Sequence, residues 1–300
     1  MPCGNQRCSV HSAIRLKSVA LFDLCVVAAD TSARCTSLER TLNLRAGKGV
    51  LYVATGRKFV AEAEVSAASV KAIMPELPIV LVSDCGSTSR DFDTHVEIKD
   101  AAYSFIDKIL AMKATPFDRT LYLDTDTFML GQVHSLFDLL DRFDLAAAFE
   151  PARFLYAIIG VPNSFPELNT GVILYKSCPL IFEAIDEWHR LYKEEIEAMR
   201  LVDKKAWHDQ LAFTRMVFGS KLAFFVLPPE YNARILLPQQ LSGEVKIVHS
   251  RIRNPASYCS QLAFVNVSSA NARVFNPNPK RIAEYLVTTF KLFRRLNRRG

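Results

Sequence analysis

The stretch RTLYLDTDTF, residues 119–128, decides how the rest of this chain is interpreted. A short apolar run of β-prone residues ends in two aspartates, Asp124 and Asp126, separated by one residue. Alternate residues of a strand point to the same side, so the two carboxylates are expected to converge where the strand ends. Like charges this close repel unless a cation lies between them, and carboxylate oxygens suit hard divalent ions. The stretch predicts a metal-assisted site for a phosphorylated substrate, although a solvated turn after a strand would use the same residues.

Buried-type strands and helical patterns alternate around this stretch. A strand over Val50–Ala54, a helix from Lys58 to about Met74 and a strand over Ile79–Val82 predict a parallel strand–helix–strand unit. Further helices are predicted at Tyr103–Ala114, Cys178–Arg200 and Trp207–Phe218, and further strands at Asp144–Phe149, Thr170–Tyr175, Leu222–Leu227 and Val245–Val248. We therefore predict an α/β fold with a central, mostly parallel sheet flanked by helices.

Polar residues follow several of these predicted strands. Thr55 with Gly56, then Asp84, Asp124 with Asp126, and finally His249 each come directly after one. Ligands of open α/β sheets bind at the carboxyl ends of the strands, so we expect these residues to share one site. A single histidine at a strand end is commonly structural, but imidazole also suits Mn²⁺ as a third ligand beside carboxylates.

The positive charge of the chain is concentrated at its C-terminus. The formal net charge is +6, and residues 280–300 alone hold seven Lys or Arg against one Glu. The remainder is neutral, which argues against nucleic acid as a partner. Seven cysteines without a C-x-x-C pair indicate free thiols in a reducing compartment, so we predict a cytoplasmic protein.

Three segments are predicted: a poorly specified extension over residues 1–47, an α/β domain over residues 48–278 and a basic amphipathic helix over residues 279–300. In the last segment the apolar residues recur at helical spacing, as Ile282, Leu286, Phe290 and Phe293. This helix either docks on the domain or makes peripheral contact with a membrane of anionic lipids.

Two weaker patterns lie in the second half of the chain. Asn169 and Gly171 are ordinary turn residues, but they would also allow a ligand to approach the backbone and an amide to bind its hydroxyls. Asp209 is explained as a helix N-cap, yet Asp209 and Gln210 together would also suit sugar hydroxyls.

In this order, the motifs resemble the GT-A-fold nucleotide-sugar glycosyltransferases, especially the family 8 enzymes of the glycogenin-like and lipopolysaccharide galactosyltransferase-like types. Six elements match over about residues 49–255. They are Lys108, Tyr-Leu-Asp-x-Asp at Tyr122–Asp126, Asn-x-Gly-Val at Asn169–Val172, Asp-Gln at Asp209–Gln210, Leu-Pro-x-x-Tyr-Asn with one extra proline at Leu227–Asn232, and His249.

The resemblance implies a Rossmann-like GT-A fold and the metal-dependent transfer of a sugar from a nucleotide-diphosphate donor, with retention of configuration, to an unidentified glycan, protein or lipid acceptor. It implies that Asp124, Asp126 and His249 hold Mn²⁺ or Mg²⁺. It places the donor against Thr55, Gly56, Phe59, Lys108, Asn169 and Gly171, with Asp209 and Gln210 as the catalytic pair at the transferred sugar.

The chain departs from this family in two places. The family's Thr-Asn-Asp-x-Tyr run appears as Thr55–Phe59 without the base-reading aspartate, so uridine is not indicated. In the family's His-x-x-Gly-x-x-Lys element, Ile252 and Pro255 replace the glycine and lysine, which leaves Arg251 or Arg253 to contact phosphate.

Two other functions compete with sugar transfer. A sugar-1-phosphate nucleotidyltransferase shares the architecture but needs a longer glycine-rich loop than residues 55–57 provide. A sugar-nucleotide-binding pseudoenzyme would not require the intact set of predicted metal ligands.

Overall fold

The computed structural model describes residues 47–151, 158–201, 208–234, 237, 239–250 and 273–275. Apart from Gly47, the predicted extension of residues 1–47 lies outside this part of the chain, and so do the predicted C-terminal helix and residues 251–255. Within the described residues, none of the helices has the length and apolar character needed to cross a membrane.

The strands of the described residues are β1 (Lys48–Ala54), β2 (Ile79–Ser83), β3 (Thr94–Glu97), β4 (Arg119–Leu123), β5 (Thr127–Met129), β6 (Leu145–Phe149), β7 (Leu168–Lys176), β8 (Phe224–Leu227), β9 (Gln239–Leu241), β10 (Ile247–His249) and β11 (Arg273–Phe275). Seven of these strands form the central sheet, in the order β3-β2-β1-β4-β7-β6-β8. Neighbours in the sheet pair in parallel except β7, which is antiparallel to β4 and β6. The predicted α/β fold with a mostly parallel sheet is confirmed.

The described helices are α1 (Arg57–Ile73), α2 (Phe105–Ala111), α3 (Leu136–Leu139), α4 (Pro179–Leu201) and α5 (Gln210–Gly219). The helix predicted over Tyr103–Ala114 is shorter, because Ser104 and Asp107 form a capping box that starts α2 at Phe105. The last three residues of the predicted helix form a 3₁₀ turn, Met112–Ala114.

The core lies where α1 packs on the sheet. Val60, Ala63, Ala67 and Val70 recur every three or four residues on one face of α1, and all four are buried. Six of the seven residues of β1 are buried, as expected for a strand in the middle of a sheet covered on both faces.

A small antiparallel pair beside the main sheet brings a histidine to the aspartates. Strand β5 begins directly after Asp126 and pairs with β10, with Thr127 opposite His249. Strand β5 has only three residues and was not predicted, and β10 ends one residue later than predicted because His249 belongs to the pair.

The reversed direction of β7 places its first residues beside the last residues of β4. Leu123 lies opposite Val172, and the backbone N–H of Asp124 donates to the carbonyl of Gly171 at 2.8 Å. The turn interpretation of Asn169 and Gly171 is wrong, because both lie inside β7 and are part of its buried run.

Candidate active site

Asp124, Asp126 and His249 form one cluster at the carboxyl edge of the sheet. Their ligand atoms all lie within 4.8 Å of one another. The Nε2 atom of His249 is 3.3 Å from Oδ1 of Asp126 and 3.6 Å from Oδ2 of Asp124. Two carboxylates and one imidazole nitrogen are a donor set that fits a divalent cation.

Asn232 fixes the orientation of the His249 ring. Its Oδ1 atom lies 2.9 Å from His249 Nδ1, while its Nδ2 donates to Oδ1 of Asn169 at 2.9 Å. Because the amide oxygen can only accept, a neutral His249 carries its proton on Nδ1. The lone pair on Nε2 then points toward the two aspartates, which is the state a metal ligand requires.

Gly171 provides the space for this ring. A Cβ atom built on Gly171 would lie 2.0 Å from His249 Cε1 and 2.3 Å from Nδ1. Any side chain at this position would therefore collide with the imidazole, so the close approach predicted at Gly171 is made by a residue of the protein itself.

Lys108 lies between the cluster of Asp124, Asp126 and His249 and the predicted catalytic pair. Its ammonium donates to the Thr170 carbonyl at 2.8 Å and lies 3.0 Å from Asp124 Oδ1 and 3.3 Å from Asp209 Oδ2. Three acceptors match its three protons. Burial alone would lower the pKa of Lys108, but Asp124 and Asp209 outweigh that effect and raise it, so the side chain stays charged.

Asp209 and Gln210 stand at the start of α5, as predicted, but Asp209 does not cap the helix with its side chain. Its Oδ1 atom instead accepts from the hydroxyl of Thr170 at 2.8 Å. The amide of Gln210 accepts from Asn169 Nδ2 at 2.8 Å and donates to Glu167 Oε1 at 3.2 Å. The side-chain amide of Gln210 is thus held through both its oxygen and its nitrogen, while the second carboxylate oxygen of Asp209 lies 3.3 Å from the Lys108 ammonium.

A cleft of about 280 Å³ opens on the side of Lys108 that faces Tyr122 and the end of β4, whereas Asp209 is buried. Its lining includes the predicted donor residues Thr55, Phe59 and Lys108 together with Asp124 and Asp126. The predicted donor residues Gly171 and Asn169 are instead buried in β7, where they contact His249 and Asn232 respectively.

The turn after β1 is tied to β2 through Asp84. The backbone N–H of Gly56, at a φ of 91°, donates to Asp84 Oδ1 at 2.7 Å, and the hydroxyl of Tyr103 donates to Oδ2 at 2.9 Å. The Gly56 bond lowers the pKa of the Asp84 carboxyl. Both oxygens of Asp84 are therefore engaged within the protein at this end of the cleft.

Several residues of the site were not predicted from the sequence. Asn232 belonged to a matching motif but had no assigned role, and its partner Asn169 lies 63 positions away. No sequence pattern predicts Tyr103 in the cleft, where it is 69% exposed. Its backbone has a positive φ of 50°, a conformation that tyrosine rarely adopts. The buried Glu150 accepts from Asn169 and pairs with Arg234 at 2.9 Å.

No protein-family model and no curated protein sequence matches this chain. Solved structures do match it. The galactosyltransferase LgtC, in complex with donor and acceptor sugar analogues, has a TM-score of 0.51 and 14% identity over 74% of this chain and 96% of its own. An active-site mutant of LgtC gives a TM-score of 0.51 and 13% identity over 78% of this chain and 98% of its own.

The glycosyltransferase GlyE of Streptococcus pneumoniae has a TM-score of 0.50 and 18% identity over 69% of this chain, which spans 56% of the GlyE chain. At these identities the likeness to the neighbours lies in the fold.

The chain has the GT-A fold. The likeness to GT-A glycosyltransferases that the motifs predicted is thereby confirmed for the fold. The cluster of Asp124, Asp126 and His249 lies where β4 ends and β7 begins, at the centre of the sheet.

Proposed function

We propose that this protein transfers a sugar from a nucleotide-diphosphate donor to an acceptor, in a metal-dependent reaction in the cleft beside β4. The observation that carries the proposal is the convergence of Asp124, Asp126 and His249 within 4.8 Å. The GT-A fold, shared with LgtC bound to donor and acceptor sugar analogues, supports both ligand classes.

The three cluster residues would hold Mn²⁺ or Mg²⁺. When bound, the ion would neutralise charge that develops on the diphosphate leaving group. The tautomer of His249 that Asn232 enforces supports this assignment, because it leaves Nε2 as the acceptor beside both carboxylates.

The residues of the chain would carry the other steps. Lys108 supplies a fixed positive charge between the proposed cation site and Asp209. The nucleotide-sugar donor would compete with the three protein acceptors of Lys108 for its ammonium protons. The carboxylate of Asp209 would stabilise the positive charge that develops at the anomeric carbon. Gln210, whose amide oxygen accepts from the buried Asn169, would bind the sugar hydroxyls. Retention of configuration is part of the proposal and rests on the motif resemblance.

Incubation with a panel of nucleotide sugars and Mn²⁺ tests the proposal. We expect release of free nucleoside diphosphate by the wild type and its loss in EDTA and in Asp126→Ala. Release of pyrophosphate from a nucleoside triphosphate and a sugar 1-phosphate, supplied in a parallel incubation, would instead indicate a nucleotidyltransferase. No turnover in either incubation would indicate a binding protein. Full activity in EDTA would show that the cluster is not a functional metal site.

A further inference from the structure

A ladder of hydrogen bonds joins α1 to the segment that carries Asp126. Three side chains of the helix, spaced four and three residues apart, meet three alternate residues of that segment. The pairs are Glu62 with the hydroxyl of Thr125 at 2.7 Å, Ser66 with the hydroxyl of Thr127 at 2.9 Å, and Ser69 with the backbone N–H of Met129 at 2.9 Å. Residues three or four apart share one face of a helix, and residues two apart share one face of a strand. The two spacings therefore match along this contact.

The bond between Ser66 and Thr127 belongs to a longer series of hydrogen bonds. This series runs from Tyr52 in the core to the turn between Asp124 and Asp126. Tyr52 OH lies 2.7 Å from Ser66 Oγ, and Thr127 Oγ1 donates to the backbone carbonyl of Asp124 at 2.8 Å. Tyr52, Ser66 and Thr127 are all at most 3% exposed. Water therefore does not compete for these hydroxyl groups.

The directions of the bonds in this chain are determined. The single proton of Thr127 goes to the Asp124 carbonyl, so Ser66 must donate to Thr127, and Tyr52 must donate to Ser66. Burial raises the pKa of Tyr52, which keeps its proton available as the first donor. Each hydroxyl accepts one bond and donates the next, an arrangement in which neighbouring bonds strengthen one another.

Thr127 also pairs with the strand that carries His249, the third predicted metal ligand. It is the residue of β5 opposite His249 in β10, and Ser250 N donates to the carbonyl of Asp126 at 3.0 Å. The hydrogen bonds that start at Tyr52 thus end at Thr127, whose side chain contacts the aspartate turn and whose backbone pairs with the strand of His249.

We propose that Ser66 and Thr127 are positioning residues of the metal site, which hold the backbone between Asp124 and Asp126 so that both carboxylates face His249. The proposal rests on the metal-dependent function proposed above. Neither residue touches the cation site, and both act through the peptide units of the turn.

Binding of Mn²⁺ alone, measured by electron paramagnetic resonance, tests this role without any donor or acceptor. Thr127→Val keeps the shape of the side chain but removes the hydroxyl, and we expect about 10- to 100-fold weaker Mn²⁺ binding, as for other outer-shell partners. Ser66→Ala removes the two bonds of Ser66, to Tyr52 and to Thr127, but leaves the bond from Thr127 to the Asp124 carbonyl, and should weaken binding about three- to tenfold. Thr127→Ser restores the hydroxyl and should bind within about threefold of wild type.

Thr120→Val is the matched control, because it removes a buried threonine hydroxyl at the opposite end of β4, where Thr120 is bonded only to Thr115 at 2.7 Å among the described side chains. It should bind Mn²⁺ like the wild type. Thermal unfolding establishes that each variant is folded, and Ser66→Ala carries the test if Thr127→Val is not.

The outcomes separate the two proposals. If wild type binds Mn²⁺ and both Thr127→Val and Ser66→Ala bind it equally well, the positioning role is wrong and the metal site stands. An equal loss in Thr120→Val would show a general packing effect and also overturn the role. If wild type itself does not bind Mn²⁺, the metal site is wrong and the positioning role is wrong with it.

Discussion

His249 packs directly against the backbone of Gly171, so that a methyl group on Gly171 would lie 2.0 Å from Cε1 of the imidazole. This contact joins β10 to β7, the strand that also carries Asn169. The position of the third predicted metal ligand therefore depends on a residue that has no side chain.

Gly171→Ala should displace the His249 ring from the two aspartates. Because an imidazole that moves by an ångström or more cannot keep its bond to Asn232, we expect at least about tenfold weaker Mn²⁺ binding. Isothermal titration with Mn²⁺ measures this. Gly219→Ala is the control, since a Cβ there has no atom within 4 Å, and equal affinity of the two variants would contradict the prediction.

Lys108→Met should destabilise the fold in the absence of metal. The substitution leaves Asp124 and Asp209 facing each other without their shared cation, a change that typically costs about 3–5 kcal/mol for a buried pair. Urea unfolding should show this loss, and Mn²⁺ should recover part of it by neutralising Asp124.

Lys113→Met provides the comparison, because Lys113 pairs with Asp186 on the surface, where an ion pair contributes at most about 1 kcal/mol. Equal unfolding free energies of the two variants would show that the Lys108 contacts are not a buried network.

Asp209→Asn should lower turnover strongly while the affinity for nucleoside diphosphate stays close to wild type. The amide keeps its acceptor for the Thr170 hydroxyl but loses the negative charge that would stabilise the transition state, and such losses reduce kcat by about 100-fold. Steady-state kinetics and calorimetry with the nucleoside diphosphate of the active donor measure the two quantities. A collapse of nucleoside diphosphate affinity in a folded variant would assign Asp209 to the nucleotide instead.

Glu195 should make stability depend on pH between about pH 4.5 and 8. Burial raises the pKa of Glu195 to about 7, and Arg215, at 3.5 Å, offsets only part of this effect. A group with a raised pKa in the folded state contributes stability at low pH that is lost as the pH rises through the folded value. Relative to Glu195→Gln, the wild type should therefore lose on the order of 3 kcal/mol between pH 4 and pH 8.

Urea unfolding at the two pH values checks this difference. Glu183→Gln is the matched control, because it removes an exposed carboxylate from the same helix, and its unfolding free energy should change with pH as that of the wild type does. Identical pH slopes for wild type and Glu195→Gln would contradict the prediction.

The sequence predicted those parts of the site that depend on local spacing. The i, i+2 aspartates and the histidine at a strand end are strand patterns, and the apolar runs around them indicate buried strands. Which residues meet across the sheet depends on register, and β5 is too short to produce a pattern of its own. The sequence predicted that His249 and the aspartates share a site, but the pairing of Thr127 with His249 that brings them together needed the structure.

The hydrogen bonds among Tyr52, Ser66 and Thr127 could not be predicted from the sequence for a different reason. Ser66 lies on α1 among alternating polar and apolar residues, where a serine is normally expected to face solvent, yet it is 1% exposed. Its burial is compatible with the fold only because Tyr52 and Thr127 satisfy it, and these lie 14 and 61 positions away. No local pattern encodes such a pairing.

The reversed direction of β7 also limits how the length of this chain can vary. Strand side chains alternate, so Asn169 and Thr170 face opposite sides of the sheet, one toward Asn232 and the other toward Asp209. A single inserted or deleted residue between Asn169 and Val172 would exchange those sides, and one between Tyr122 and Asp126 would shift the aspartates relative to β7. Either change would separate the candidate cation site from Asp209. Related chains should therefore tolerate gaps in the segments before and after these two short blocks, but never within them.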